Sequence, residues 1–526
     1  MNQSEYAAEV KARGQQITDT IVERGSAAAW NLHAFLLEKK ATPEFICEAV
    51  ERLFAVRNFA ASESVAGGPF HVLPAMLLYA RWKDELPEKA REMIKSFFMR
   101  GIIDRGNTEN HWLMHYTGSL LAAEAWPDED RMWNQMSPAA VRAEAKRWII
   151  GMIDRSVLTG HHEYDSTGYI AEHVTPLIGL AEHSLDGEIR SKAEKLLTLH
   201  FADMALEYFH GAWAGSHSRE GYRVNTWTKS GTVRGLHYLY FGGEEYDPAA
   251  DNQGFVAPNL AAAYLPPSMI IEMAFDRSEP FLVKKTKAPR TIYRHTERDA
   301  DPVRKYTYMS RSFALGSAQI GLPGAPAGPI DLTSWDLSWN GPKHQAKIVC
   351  NHPYTDPGRF SAFLSFLPQA AERDVATGKP YLQWNDRLFG ASPYERIMQH
   401  EGTILVFYRI PEGDRNPYLN LYLPKELRWF EEKGWLFADC GEFYVSLRIV
   451  GAYVWEEIRE AVQSNIMVRE GDLIDGWVLK INERAGGIAL EAVEADKVES
   501  FEAYRNVRVA DDIDLSRWQT DHRVTL

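Results

Sequence analysis

Residues 137–153 read Ser137-Pro138-Ala139-Ala140-Val141-Arg142-Ala143-Glu144-Ala145-Lys146-Arg147-Trp148-Ile149-Ile150-Gly151-Met152-Ile153. Val141, Ala145, Trp148, Ile149, Met152 and Ile153 fall at i, i+4, i+7, i+8, i+11 and i+12, one apolar face of an α-helix. Ser137-Pro138 supplies the start: a hydroxyl N-cap, then a residue whose fixed φ and missing N–H are harmless in a first turn. Thr42-Pro43 repeats that signal ahead of Phe45, Ala49, Leu53 and Phe54. Ile189, Ala193, Leu196, Leu197 and Met204 show the same period over 189–204. Roughly ten such segments precede residue 280, joined mostly by short polar turns as helix pairs are. Bundle, solenoid and closed ring all satisfy this pattern.

Beyond about residue 290 the period changes from 3.6 to 2. Phe443, Val445, Leu447 and Ile449 alternate with Tyr444, Ser446 and Arg448, the signature of a half-buried strand. Tyr306-Thr307-Tyr308, Ser361-Ala362-Phe363-Leu364 and Thr403 to Tyr408 have β composition. Clusters such as Gly321-Leu322-Pro323-Gly324 and Pro411-Glu412-Gly413-Asp414 separate them. A run of helices followed by a run of strands predicts separate helical and antiparallel-sheet domains. They are expected at 1–282 and 283–526, with Lys284 to Arg290 as linker. Trp455 to Val462 reads as a short helix inserted among the strands.

The chain has 526 residues, too many for one ordinary core. Lys and Arg number 58 against 72 Asp and Glu, a net charge of −14, which argues against a nucleic-acid or anionic-membrane binder. Cys47, Cys350 and Cys440 lie far apart without metal spacing and are expected as free thiols. Met1-Asn2-Gln3-Ser4-Glu5 shows no basic n-region followed by an apolar run, so a cytoplasmic location is the expectation, or a periplasmic or secreted one if the chain is trimmed. The oligomeric state is open, a homodimer included.

Three polar stretches carry the chemistry. The first, Asn107-Thr108-Glu109-Asn110-His111-Trp112, opens a helix. Its amide and imidazole can together hold a carboxylate, although Asn107 or Asn110 could equally be an N-cap. The second is His161-His162-Glu163-Tyr164-Asp165-Ser166-Thr167-Gly168-Tyr169. A tyrosine can serve as base and acid if nearby positive charge lowers its pKa from roughly 10, and Glu163 and Asp165 could instead be hydrolytic carboxylates. His161 and His162 look like a loop tip, and His173 like a core histidine. The third runs from Gly215 to Arg223 and continues to Arg234. It has Arg219, Arg223, Lys229 and Arg234 against the single acid Glu220, a local excess that suits an anionic ligand. Trp112, Trp213, Trp227, Trp335 and Trp339 offer ring faces for sugars. His344, His352 and His400, with Asp356, are candidates for a structural divalent metal in the β domain, the only cofactor considered.

Glu109-Asn110-His111, Glu163-Tyr164-x-Ser166-x-x-Tyr169 and the order of helical then all-β domain resemble the heparinase II/III-like and oligoalginate-lyase group of polysaccharide lyases. The resemblance implies an α+β multidomain fold: an (α/α) toroid-like domain followed by an antiparallel β-sandwich. It also implies β-elimination beside a uronic acid, with a saccharide as partner. Asn110 and His111 would neutralise the uronate carboxylate. Tyr169, or Tyr164, would take the C5 proton and protonate the leaving oxygen. His217 would assist, and Arg219, Tyr222, Arg223, Trp112, Trp335, Glu109, Glu163 and His400 would contact substrate. Glu163-Tyr164-Asp165-Ser166 stands where better-known lyases carry Glu-Gly-Pro-aromatic. The additional acids keep open a glycoside hydrolase using Glu109 with Glu163 or Asp165, or a non-catalytic carbohydrate binder.

Overall fold

The computed structural model describes residues 2–55, 66–106, 108–218, 232–248, 254–288, 302–319, 332–341, 347–354, 392–461 and 473–511. Residues of the sequence reading that lie outside this set include Asn107, Arg219, Tyr222, Arg223, Trp227, Lys229, His344, Asp356 and the 361–364 segment. The chain forms two compact units. One is Met1–Leu206 with Ser230–Phe275, and the other is Glu207–Lys229 with Asp276–Leu526.

The first unit is helical. Its helices are α1 (Gln3–Arg24), α2 (Leu32–Leu37), α3 (Pro43–Ala55), α4 (Pro69–Trp82), α5 (Glu88–Arg100), α6 (Glu109–Ala125), α7 (Pro138–Thr159), α8 (Ile170–His183), α9 (Gly187–Glu207), α10 (Thr232–Leu236) and α11 (Ser268–Phe275). The start signals act as read: Ser137 Oγ accepts from the Ala140 N–H, and Thr42 Oγ1 from the Phe45 N–H at 3.2 Å. On α7, Val141, Ala145, Ile149, Met152 and Ile153 are buried. Trp148 is only half-buried and stacks on Tyr116 at 4.8 Å.

Helices α2, α4, α6, α8 and α10 neighbour one another in that order. Every residue of α8 from Ile170 to Ala181 is buried, and α6 is nearly as enclosed, as expected of helices apolar on all sides. Helices α3, α5 and α7 keep one face in water. This alternation of inner and outer helices is the (α/α) toroid-like arrangement. Close approach of α4 and α6 requires a glycine at 118, where a Cβ would stand 2.9 Å from the Val72 carbonyl oxygen. Among the described residues no helix is long and apolar enough to cross a membrane.

The second unit is a β-sandwich. Its strands are β1 (Phe281–Lys287), β2 (Val303–Met309), β3 (Phe313–Gln319), β4 (Trp335–Trp339), β5 (Lys347–Asn351), β6 (Glu395–His400), β7 (Thr403–Arg409), β8 (Leu419–Pro424), β9 (Trp429–Glu432), β10 (Trp435–Asp439), β11 (Phe443–Val450), β12 (Tyr453–Ala461), β13 (Leu473–Ile481) and β14 (Ala485–Glu494). An eight-stranded antiparallel sheet runs β12-β13-β8-β5-β4-β3-β2-β1, and a six-stranded one runs β6-β7-β14-β11-β10-β9. Leu315, Leu337, Leu421 and Leu479 of the first sheet share one core with Val406, Leu436, Leu447 and Leu490 of the second. Phe443, Val445, Leu447 and Ile449 point into it, as their alternation predicts. A final helix, α12 (Phe501–Arg508), sets Tyr504 beside Trp435 and Phe437. Cys47, Cys350 and Cys440 are free thiols.

Two readings are corrected. Lys284 to Lys287 are not linker but the end of β1, paired in register with Arg304 to Tyr306 and Val303 of β2. The Lys285 ammonium is held by the Glu207 carboxylate at 2.7 Å, a partner 78 positions away. Residues 455–461 are not helical. They lie in β12, paired with β13 from Tyr453↔Ile481 to Ala461↔Leu473. An edge strand exposes both faces, so its charges fall without a period of two and imitate a polar helix.

Candidate active site

The site is built where α6 begins. Thr108 is its N-cap, its Oγ1 3.4 Å from the His111 N–H. Glu109 and Asn110 therefore occupy the first helical turn, where backbone N–H groups lack intrahelical acceptors and favour negative charge. A second segment supplies that charge. Helix α7 ends at Gly160, whose φ of 72° is open to glycine at no steric cost. The chain then folds through His161–Tyr169 into α8, with Asp165 in the left-handed region at φ 46°, a conformation Asp tolerates better than most residues. Ser166 anchors the exit: its Oγ accepts from the Tyr169 N–H at 3.2 Å and its carbonyl from the Ile170 N–H at 3.0 Å. The Val233 N–H donates to the Thr167 carbonyl at 3.0 Å.

This turn delivers Glu163 to the start of α6. The Asn110 side-chain amide donates to Glu163 Oε2 at 2.5 Å, and the Asn110 backbone N–H lies 3.3 Å from the same oxygen. The Glu163 N–H is 3.3 Å from Glu109 Oε2. Three histidines surround the two carboxylates. His161 Nδ1 is 3.6 Å from Glu109 Oε1, and His173 Nε2 is 3.6 Å from Glu163 Oε2. His161 Nε2 meets His200 Nε2 at 2.8 Å. Glu109, Asn110, His161, Glu163, His173 and His200 are all buried.

Burial pushes the Glu109 carboxyl up, but His161, then His162 and His173, outweigh it and hold the group well below the usual carboxylate range. Burial, with His173 adding to it, drives the His161 imidazole down to about 4. Glu109 needs a charged His161 and His161 resists that charge, so the two titrate as one unit. At neutral pH the carboxylate is the ionised partner and the imidazole the neutral one.

The other residues singled out in the sequence divide between the units. In the helical unit, Tyr164 and Tyr169 are buried on the same turn as Glu163, Tyr169 as the residue before α8. His111 lies edge-on to Phe70 at 5.3 Å. Trp112 carries the Arg105 guanidinium 3.9 Å over its ring and donates Nε1–H to the Gly106 carbonyl, so that face is covered. In the sheet unit, His217 is buried in a two-residue strand paired with Leu332–Thr333. Its Nε2 is 3.9 Å from Asp336, which also takes the Lys347 ammonium.

Trp335 is corrected: it is 1% exposed in the sandwich core and presents no face to a sugar. Its neighbours Leu315 and Leu337 explain why, since β4 is buried on both faces. His400 ends β6 exposed at a hairpin turn. His352 has both ring nitrogens engaged, Nδ1 with Ser392 Oγ at 3.0 Å and Nε2 with the Asn416 carbonyl at 2.8 Å. Among the described residues, the potential metal-ligating group is Glu109, His161 and His173, in the helical unit.

Sequence reasoning undervalued the histidines. His161 is 4% exposed rather than a loop tip. His200 belongs to the cluster without standing in any of the three polar stretches: it falls four residues after Leu196 and four before Met204 on the buried face of α9. A histidine at core spacing was the available signal.

No family model matches the chain, and no curated protein is similar to it. Among solved structures it is similar to the heparan sulfate lyase HepC from Pedobacter heparinus, at 9% identity and a TM-score of 0.40, over 89% of this chain and 76% of that one. A mutant of the same lyase aligns at 10% identity and a TM-score of 0.36, over 88% and 76%.

Proposed function

We propose that this protein cleaves a uronic-acid-containing oligo- or polysaccharide by β-elimination, with its reacting centre at the start of α6. The observation that carries this reading is the hydrogen bond between Asn110 and Glu163. It joins the two sequence motifs at a helix N-terminus that already holds a carboxylate through a side-chain amide and a backbone N–H. An anionic sugar ring asks for the same donors.

Asn110, with His111, takes up the uronate carboxylate and disperses its charge, which makes the C5 proton removable. A tyrosine, Tyr169 first and Tyr164 second, accepts that proton and returns one to the glycosidic oxygen as its bond to C4 breaks. The electrons of the C5–H bond become the C4=C5 double bond, and no water is consumed. General acid–base groups of this kind contribute roughly 10²–10⁴ in rate. Tyr169→Phe is expected to lose that factor, and full activity of Tyr169→Phe moves the role to Tyr164.

A second reading rests on Glu109 and Glu163, two carboxylates meeting in one buried cluster. It is hydrolysis by an acid–base pair. Uronic-acid polysaccharides and their oligomers, followed together by ultraviolet absorbance and reducing-end release, separate the two. Absorbance rising with reducing ends means elimination. Reducing ends without absorbance mean hydrolysis and overturn the lyase reading.

A further inference from the structure

Glu109, His161 and His173 each place one ligand-type atom within 4.8 Å of the other two. Their relative exposures are 8%, 4% and 1%, so water satisfies little of this polarity. Two details point to a ligand. Both ring nitrogens of His173 lack a hydrogen-bond partner, although a buried imidazole normally satisfies at least one. His161 has Nε2 tied to His200 at 2.8 Å, while Nδ1 faces Glu109 at 3.6 Å, with the Ser156 hydroxyl at 3.4 Å as the group an ion would displace from it. Metal-binding histidines are commonly fixed this way: the far nitrogen is held by an outer partner and the near lone pair is aimed at the ion. Among the described residues no Lys or Arg pairs with Glu109, whose ion-pair partner there is His161.

We propose that Glu109, His161 and His173 bind one divalent transition-metal ion of the Zn²⁺ type. Two imidazoles and one carboxylate suit such ions and leave a coordination position open. Glu163 Oε2, 3.6 Å from His173 Nε2, stands beside the set as a further oxygen. The His161 and His173 rings are stacked, with centroids 3.8 Å apart. Ligation turns His173 and draws the three atoms to about 3.3 Å from one another, as bonds of 2.0–2.1 Å in tetrahedral geometry require. Binding stands apart from the elimination reading, since it is measured without substrate.

The test uses the full chain, treated with chelator, desalted and titrated with Zn²⁺ or Co²⁺. The expected result is one ion per chain, with a Co²⁺ absorption band that Zn²⁺ abolishes. Glu109→Gln and His173→Ala, each confirmed folded by circular dichroism, are expected to weaken binding by at least about tenfold. X-ray absorption of the Zn²⁺-loaded native protein is expected to show two imidazoles with oxygen and no sulfur, and needs no variant to fold. Retention of less than about a tenth of an equivalent overturns the proposal. So does undiminished binding in both variants, or a different ligand set in the absorption spectrum.

Discussion

Glu207 in the sheet unit and Glu109 in the helical unit are both buried carboxylates, and they are handled in opposite ways. Glu207 receives the Lys285 and Lys305 ammoniums at 2.7 and 3.0 Å, the Thr307 hydroxyl at 2.6 Å and Trp213 Nε1–H at 3.2 Å. Its charge is saturated, and nothing is left over to meet a ligand. Glu109 has histidines around it instead, and burial keeps the nearest of them, His161, neutral. The sandwich offers a third outcome. Glu395 shares an oxygen with Tyr408 and Ser334, and burial raises it to about 7, against which those two hydrogen bonds and Arg396 act only weakly. A buried carboxyl can be paired, protonated or left charged among weak partners. Only the last keeps electrostatic potential available for chemistry.

The largest test of this contrast is charge removal without change of shape. Glu207→Gln leaves two buried ammoniums facing a neutral amide, and breaking such a buried pair costs about 3–5 kcal/mol. Urea unfolding of the sheet unit reads that loss; a shift below about 1 kcal/mol removes the distinction between the two carboxylates. The same change at Glu109 is expected to cost less than at Glu207, because histidines alone hold its carboxylate below the usual range and no Lys or Arg pairs with it among the described residues.

Asn110→Ala sharpens the contrast from the helical side. A hydrogen bond to a charged group contributes about 1.5–3 kcal/mol, and its loss frees Glu163 from the α6 terminus. Stability is expected to fall by that amount, with turnover of uronates falling further than binding. Unchanged kinetics with lowered stability would make Asn110 a structural cap alone.

Glu395 tests the protonated outcome. Between pH 4.5 and about 7 the folded protein keeps a proton that the unfolded chain has released. The stabilisation is therefore complete below the unfolded pKa and lost as pH rises through about 7. Its size is roughly 1–2 kcal/mol, below the full value of the shift because the residue as a whole keeps some contact with solvent. Glu395→Gln is expected to flatten the stability profile across that window. A profile that keeps its slope assigns the slope to other groups.

The smallest effect separates neutral from charged support of Glu207. Thr307→Val removes one hydroxyl donor and leaves both lysines, for a loss of about 1 kcal/mol. A loss approaching that of Glu207→Gln would mean that the hydroxyl, not the ammoniums, secures the carboxylate.

Local chemistry made much of the fold legible. The face of α7, the Ser137 and Thr42 caps and the alternation of β11 each follow from neighbouring residues, and each is in the structure. What escaped depends on distant partners. Lys284 to Lys287 look like linker until Glu207 is brought to them, and Trp335 looks like a sugar platform until the second sheet covers it. At the candidate site, Asn110 and Glu163 stand out in sequence as polar residues beside helical segments, and their hydrogen bond is a tertiary fact. The stack of His161 on His173 and His200 brings together the 161–169 turn, α8 and α9, which no single helical period contains.

The eight-stranded sheet ends on β12, nine residues long, with Val454, Trp455, Glu456 and Glu457 all exposed. Its outer row of backbone donors and acceptors is a template on which another chain could polymerise. Two adjacent acids project to opposite faces there, Glu456 beside Lys480 and Glu457 beside Lys425, so a strand that docked would have to cover charged groups on whichever side it approached. The feature that made this segment look helical is thus a terminator of sheet growth, and it keeps an acidic, tryptophan-rich protein from seeding fibres through its own edge.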